Sequence, residues 1–133
     1  MTTAQKVLVG YGVIILAYGF LLGVPLSAIR NKEPAAPRNL VNAHLSGLIQ
    51  PSIVISMAFA LAATGFDGSW ATIGAWLLVV GCASEAIGGT TNWLMNTGDQ
   101  FAEKSTGLKI NALSGPLCIS GSLILAIGVL ANL

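Results

Sequence analysis

The sequence predicts an all-α fold, a four-helix transmembrane bundle, on three observations. Four apolar runs, separated by polar connectors, are each long enough to cross a bilayer as a helix. Only 8% of the 133 residues are charged while 54% are hydrophobic, whereas a soluble domain carries roughly 25% charge. Trp70 and Trp93 stand near opposite ends of the third run, roughly 35 Å apart along a helix, which matches the two interfacial belts.

The first span is expected at about 7–29, directly after Lys6. Its charge-free length exceeds the roughly 7–15 residues of a signal-peptide apolar region, so it reads as a retained helix. The second is expected at about 41–65 and the third at about 70–95, interrupted only by Glu85; the last is expected at about 110–133. Runs of this length satisfy their backbone hydrogen bonds in lipid by forming helices. Residues 1–133 form a single domain, because neither the proline-bearing connector 31–38 nor the polar stretch 96–107 could hold a second one.

Arg30, Lys32 and Arg38 gather in the first connector, with Lys104 and Lys109 in the third, against Lys6 alone at the other end. The positive-inside rule therefore puts loops 1 and 3 in the cytoplasm and both termini outside, in an integral membrane protein of the bacterial inner membrane. A net charge of +1 with no basic patch offers nothing to nucleic acid. Cys82 and Cys118 both lie in apolar runs and read as free, buried thiols.

His44 is the only histidine, at the start of the second span. An imidazole in or beside a bilayer is either hydrogen-bonded at the interface or held by something it binds, and imidazole is the commonest metal and haem ligand. Gly47 lies one turn along and removes a side chain beside the ring. Pro51 frees the Gly47 carbonyl and predicts a kink, so the pair would make space for a planar ligand. Glu85 sits inside the third span with no basic residue at its depth, as a protonated interhelical partner or as a proton donor and acceptor.

Gln50 and Asn92 add neutral amides at membrane depth. Ser46, Ser52, Thr90, Thr91, Asn111 and Ser114 read as structural, and Tyr11 and Tyr18 as packing or interfacial anchors on one face. Gly19 with Gly23, and Gly81 with Glu85 and Gly89, repeat at spacing four, which suits close helix approach or a flat cofactor. CxxC, HExxH, a phosphate-binding glycine loop and a Ser-His-Asp set are all missing, and structural zinc lacks ligands.

The stretch Ala43-His44-Leu45-Ser46-Gly47 with Gln50 resembles the second helix of the styrene oxide isomerase and hydroxylaminobenzene mutase family, small four-helix membrane isomerases. The likeness continues through Ala58-Phe59 and Gly65-Phe66, and Asn92-Trp93 looks more like the mutase branch. The resemblance implies that His44 is an axial ligand of haem b and that Gln50 supplies an amide to the site. It also implies a homo-oligomer, a trimer, with haem at the subunit contacts. The family's helix-three tyrosine has no counterpart, its position falling near Gly88, which departs from epoxide isomerisation.

The expected function is a haem-dependent membrane isomerase that rearranges a small aromatic hydroxylamine to an aminophenol. His44 would hold the iron with Gly47 beside it, while Gln50, Asn92 or Glu85 orient the substrate or move protons. Three other readings stand beside it: an epoxide-to-aldehyde isomerase, a b-type electron-transfer protein using His44 with a methionine such as Met57 or Met95 or with a ligand from a partner chain, and a proton-coupled bundle or transporter built on Glu85.

Overall fold

Thr2 starts the first helix with a reciprocal cap. Its hydroxyl accepts from the Gln5 amide at 3.3 Å, and the Gln5 side chain accepts from the Thr2 amide at 3.0 Å, satisfying two of the free N–H groups of the first turn. From that cap the computed structural model, which describes residues 1–133, runs α1 Thr3–Arg30, α2 Arg38–Thr64, α3 Ser69–Leu94, α4 Thr106–Asn111 and α5 Ser114–Ala131. The spans Thr3–Arg30, Arg38–Thr64, Ser69–Leu94 and Thr106–Ala131 are long and apolar enough to cross a membrane. The fold is an all-helical four-span bundle, as the apolar runs require.

The ends differ from the charge-free windows in a physical way. Arg30 and Arg38 are helical and exposed, because long basic side chains at a helix end reach out to the polar zone while their backbone continues the helix. The fourth span starts at Thr106 rather than near 110, since Ser105 caps it by accepting from the Leu108 amide at 3.0 Å. It is broken at Ala112 and Leu113, four and three residues before Pro116. Proline has no amide for the Ala112 carbonyl and its ring crowds that turn, so α4 and α5 separate there. By contrast α2 runs unbroken through Pro51.

Burial repeats every seven residues. Leu8, Ile15 and Leu22 on α1, Leu40, Gly47, Val54 and Leu61 on α2, and Gly74, Gly81 and Gly88 on α3 are all buried, the period of left-handed helix packing. On α4 and α5 the buried glycines Gly107, Gly121 and Gly128 continue the pattern. Glycine is needed where helices touch through backbone. A methyl on Gly121 would stand 2.5 Å from the Leu78 amide nitrogen, and one on Gly81 2.8 Å from that of Cys118.

α1 packs mainly on α2, α5 mainly on α3, and α3 also touches α1 and α2. Contact between α2 and α5 is slight, which leaves a cleft on that side. Gly65 (φ 70°) and Gly68 (φ 94°) close the short α2–α3 connection in left-handed backbone. Loop 3 is tied down from both sides. Asn39 of α2 donates to the Thr97 carbonyl at 2.8 Å, and Asn92 of α3 bonds Gln100 at 2.8 Å and Ser105 at 2.7 Å. Within the loop, the Ala102 and Phe101 amides hold the Asp99 carboxyl below the usual carboxylate range.

Candidate functional site: a polar layer between two apolar cores

Two apolar clusters lie one above the other along the bundle. The larger, at the termini end, includes Leu8, Val54, Leu61 and Leu78; the smaller, at the loop 1 and 3 end, is Leu22, Leu40 and Ala43 with Trp93 against it. Between them lies a layer of polar side chains. Ser46 and Gln50 are four residues apart on one face of α2, and both reach Glu85 of α3. Ser46 donates to Oε1 at 3.0 Å and Gln50 donates to Oε2 at 3.3 Å. Gln50 also donates to the Cys82 carbonyl at 3.1 Å and accepts from the Tyr11 hydroxyl at 2.8 Å. The Gln50 amide, 4% exposed, is therefore fully used.

Asn111 joins from α4. With its amide nitrogen turned inward it donates to the carbonyls of Ser84 at 3.1 Å and Glu85 at 3.3 Å. Tyr18 hydrogen-bonds Thr90 across the α1–α3 interface. Between those helices opens an apolar cavity of about 340 Å³, walled by Ile15, Ala86 and Ile87 with the two tyrosines. Its size is that of a small-molecule pocket.

His44 is not part of this layer's interior. It precedes Ser46 by two residues, or roughly 200° around the helix, so it faces α1 on the opposite side of α2. Its Nδ1 lies 2.8 Å from the Gly19 carbonyl oxygen, which makes Nδ1 the donor and leaves Nε2 with its lone pair. The interfacial carbonyl partner allowed for by the sequence thus exists, supplied by a helix and not by a loop. Gly23 makes room for the ring, since a methyl there would stand 3.3 Å from His44 Cε1. His44 is half-buried, and helical phase puts Phe20, 64% exposed, on the same outer flank.

The structure brings Gln50 and Glu85 together and leaves His44 on the far face of α2. Gly47 is filled by packing: a methyl on it would stand 2.6 Å from Gly19 Cα, so its missing side chain serves the helix crossing rather than a ligand. Asn92, 1% exposed, is wholly occupied by Gln100 and Ser105, an α3-to-loop tie. No three His, Cys, Asp or Glu side chains converge, so the chain alone builds no multidentate ion site. Cys82 and Cys118 are free, their sulfurs 3.9 Å apart.

Tyr11 and Ser46 are contacts of the polar layer that sequence reasoning passed over as anchor and structural hydroxyl. Ser46 had a visible signal, its four-residue spacing from Gln50; Tyr11 had none beyond its depth. The Gly19 carbonyl also had no signal, because backbone partners carry no side-chain signature. No protein family, characterised protein or solved structure matches this chain.

Proposed function

We propose that this chain is a haem-dependent membrane isomerase that rearranges a small aromatic hydroxylamine to an aminophenol, with His44 as the axial ligand of haem b. One observation carries the reading: the Gly19 carbonyl fixes His44 Nδ1 at 2.8 Å. Ligating histidines characteristically donate their second ring nitrogen to a carbonyl or carboxylate, which sets tautomer and orientation and leaves Nε2 for the metal. The donor set fits an axial ligand, with one imidazole in the ligating tautomer, an apolar outer flank and no side chain at Gly23. Bound haem iron would supply a Lewis acid for the hydroxylamine oxygen.

The chain's own residues do the rest. His44 holds the cofactor, and the apolar flank with Phe20 receives the arene and limits water. In the net reaction an N–O bond breaks, a ring C–O bond forms, and the ring proton is given up while nitrogen gains one. A carboxylate held by two donors, Glu85 with Ser46 and Gln50, suits that proton traffic, and no external electron donor is required. Met57 packs on the termini-side core, which disfavours it as a second iron ligand. At Gly88 a methyl would collide with Asn111 and the Gly107 carbonyl, so that position has no room for the missing tyrosine, which favours the mutase over the epoxide chemistry.

His44 and Glu85 face opposite ways across α2, so they would meet only between copies. A head-to-tail ring, such as the trimer implied by the resemblance, joins two unlike faces in this way. The protein is placed in the bacterial inner membrane with loops 1 and 3 in the cytoplasm, supported by Arg30, Lys32, Arg38, Lys104 and Lys109 at that end.

Detergent-purified protein is expected to show a Soret band and to convert phenylhydroxylamine, while styrene oxide is turned over poorly. His44→Ala should lose both band and activity. Absence of a Soret band after haem supplementation, or full mutase activity in His44→Ala, would overturn the proposal.

A further inference from the structure

The loop 1 and 3 end of the bundle contains two adjoining cavities of about 190 and 170 Å³, and they share Asn39, Asn42 and Gln100. The outer one has Arg38 and Asp99 at its mouth; the inner one reaches Ser46, Glu85 and Asn111. Each has one apolar side chain in its wall, Phe101 outside and Ala43 inside. At roughly 30 Å³ of liquid volume per water, each holds several molecules with ample polar partners. The larger α1–α3 cavity is lined by aliphatic and aromatic groups and offers water little.

Glu85 forms the floor of this passage. It lies nine residues inside the Leu94 end of α3, about 14 Å deep along the helix, yet its side chain is exposed. Within the chain its carboxylate meets only the donors of Ser46 and Gln50. No Lys or Arg pairs with it, and a lone carboxylate at that depth needs water or a proton. We infer that the passage is a water-filled vestibule opening at loops 1 and 3, and that Glu85 exchanges protons through it with the aqueous phase on that side alone.

The exchange is Glu85 carboxylate plus hydronium giving the carboxylic acid plus water. The geometry chooses the oxygen. Gln50 Nε2 can only donate, so Oε2 stays an acceptor, whereas the Ser46 hydroxyl can turn from donor to acceptor. The proton therefore resides on Oε1, beside Ser46. The other titratable groups around the passage are Arg38 and Asp99 at the mouth and Tyr11, Cys82 and Cys118 behind the carboxylate. The inference does not depend on haem binding, because the same carboxylate exchanges protons in a chain that holds no cofactor.

The test is thiol accessibility in sealed phosphatidylcholine vesicles. In a Cys82→Ala, Cys118→Ala background, Glu85→Cys is treated with membrane-impermeant trimethylammonioethyl methanethiosulfonate. Ile87→Cys, two residues along the same helix in the apolar α1–α3 wall, reports the rate at a poorly hydrated position. Glu85→Cys is expected to react about tenfold faster than Ile87→Cys, as a hydrated thiolate does, and only from the loop 1 and 3 side. Asn42→Trp should remove that difference. Equal rates at the two positions, reaction from the termini side, or indifference to Asn42→Trp would overturn the inference. Should Glu85→Cys not fold, infrared spectroscopy of the otherwise native protein decides, at an acidic pH where the C=O band of protonated Glu85 is present: that band, identified by its loss in Glu85→Gln, shifts within seconds of transfer to D2O. A band unchanged over hours would sink it.

Discussion

Gly19 serves two ends with one peptide unit: its bare Cα lets α2 pass, and its carbonyl holds His44. A methyl there would stand 2.7 Å from the Gly47 carbonyl carbon and 2.8 Å from its oxygen. Both are backbone atoms that no side-chain rotation can move aside. The Gly47 carbonyl is also the one that Pro51 leaves without its helical donor, so it lies against the Gly19 methylene as a weak C–H acceptor. Gly19→Ala is therefore expected to force α1 from α2, destabilising the bundle by about 1–3 kcal/mol and loosening the His44 ring. Gly10→Ala is the contrast: nothing lies within 4 Å of its Cβ position, and the change should gain up to ~1 kcal/mol of helix propensity. Equilibrium unfolding in mixed micelles ranks the two. A Gly19→Ala protein as stable as the native one would show that the crossing can relax.

At the scale of elements, what the sequence revealed and what it hid have the same cause. Charge-free windows mark the spans because charge at membrane depth is expensive, so all four helices were legible. Their ends were not, since Arg30 and Arg38 extend helices beyond the apolar run. The first turn of α4 was hidden because Ser105-Thr106-Gly107 reads as loop until the cap is seen. In the site, Ser46, Gln50 and Glu85 could be grouped from spacing and depth. The opposition of His44 to Ser46 was countable along α2, but which neighbour each one faced was not.

The α3–α5 pair shows how such hidden packing can be tested. Its glycines bring the Cys82 and Cys118 sulfurs within 3.9 Å. A mild oxidant such as diamide should therefore link the two within one chain, seen as loss of two hydrogens in intact mass and of both free thiols. Gly121→Leu, whose added bulk starts 2.5 Å from the Leu78 backbone, should lift α5 and prevent the link. Two thiols that stay free in oxidised native protein would contradict this pairing.

The proposed function sets the whole molecule a task that one copy could not perform alone. α3 is held by α1, α2 and α5, while α5 has little contact elsewhere and exposes Ile119, Leu123, Ile127 and Leu130. The polar cleft with Glu85 opens beside α2 on the α3 side, and His44 faces out on the α1 side. A self-complementary dimer would pair like faces, His44 with His44, whereas a closed head-to-tail ring sets the His44 flank of each copy against the cleft of the next. This arrangement can be read by mixing two inactive chains. Oligomers of His44→Ala alone, or of Glu85→Gln alone, have no complete site. In a mixed three-membered ring, one junction of the three joins an intact His44 to an intact Glu85. Random mixing of equal amounts makes three rings in four mixed, so about a quarter of native activity should return. Recovery should scale with the mixing ratio and vanish when the two chains are purified separately and combined without subunit exchange. If each copy instead completed its own site across α2, no ratio would restore turnover, because every chain would still lack one of its two groups.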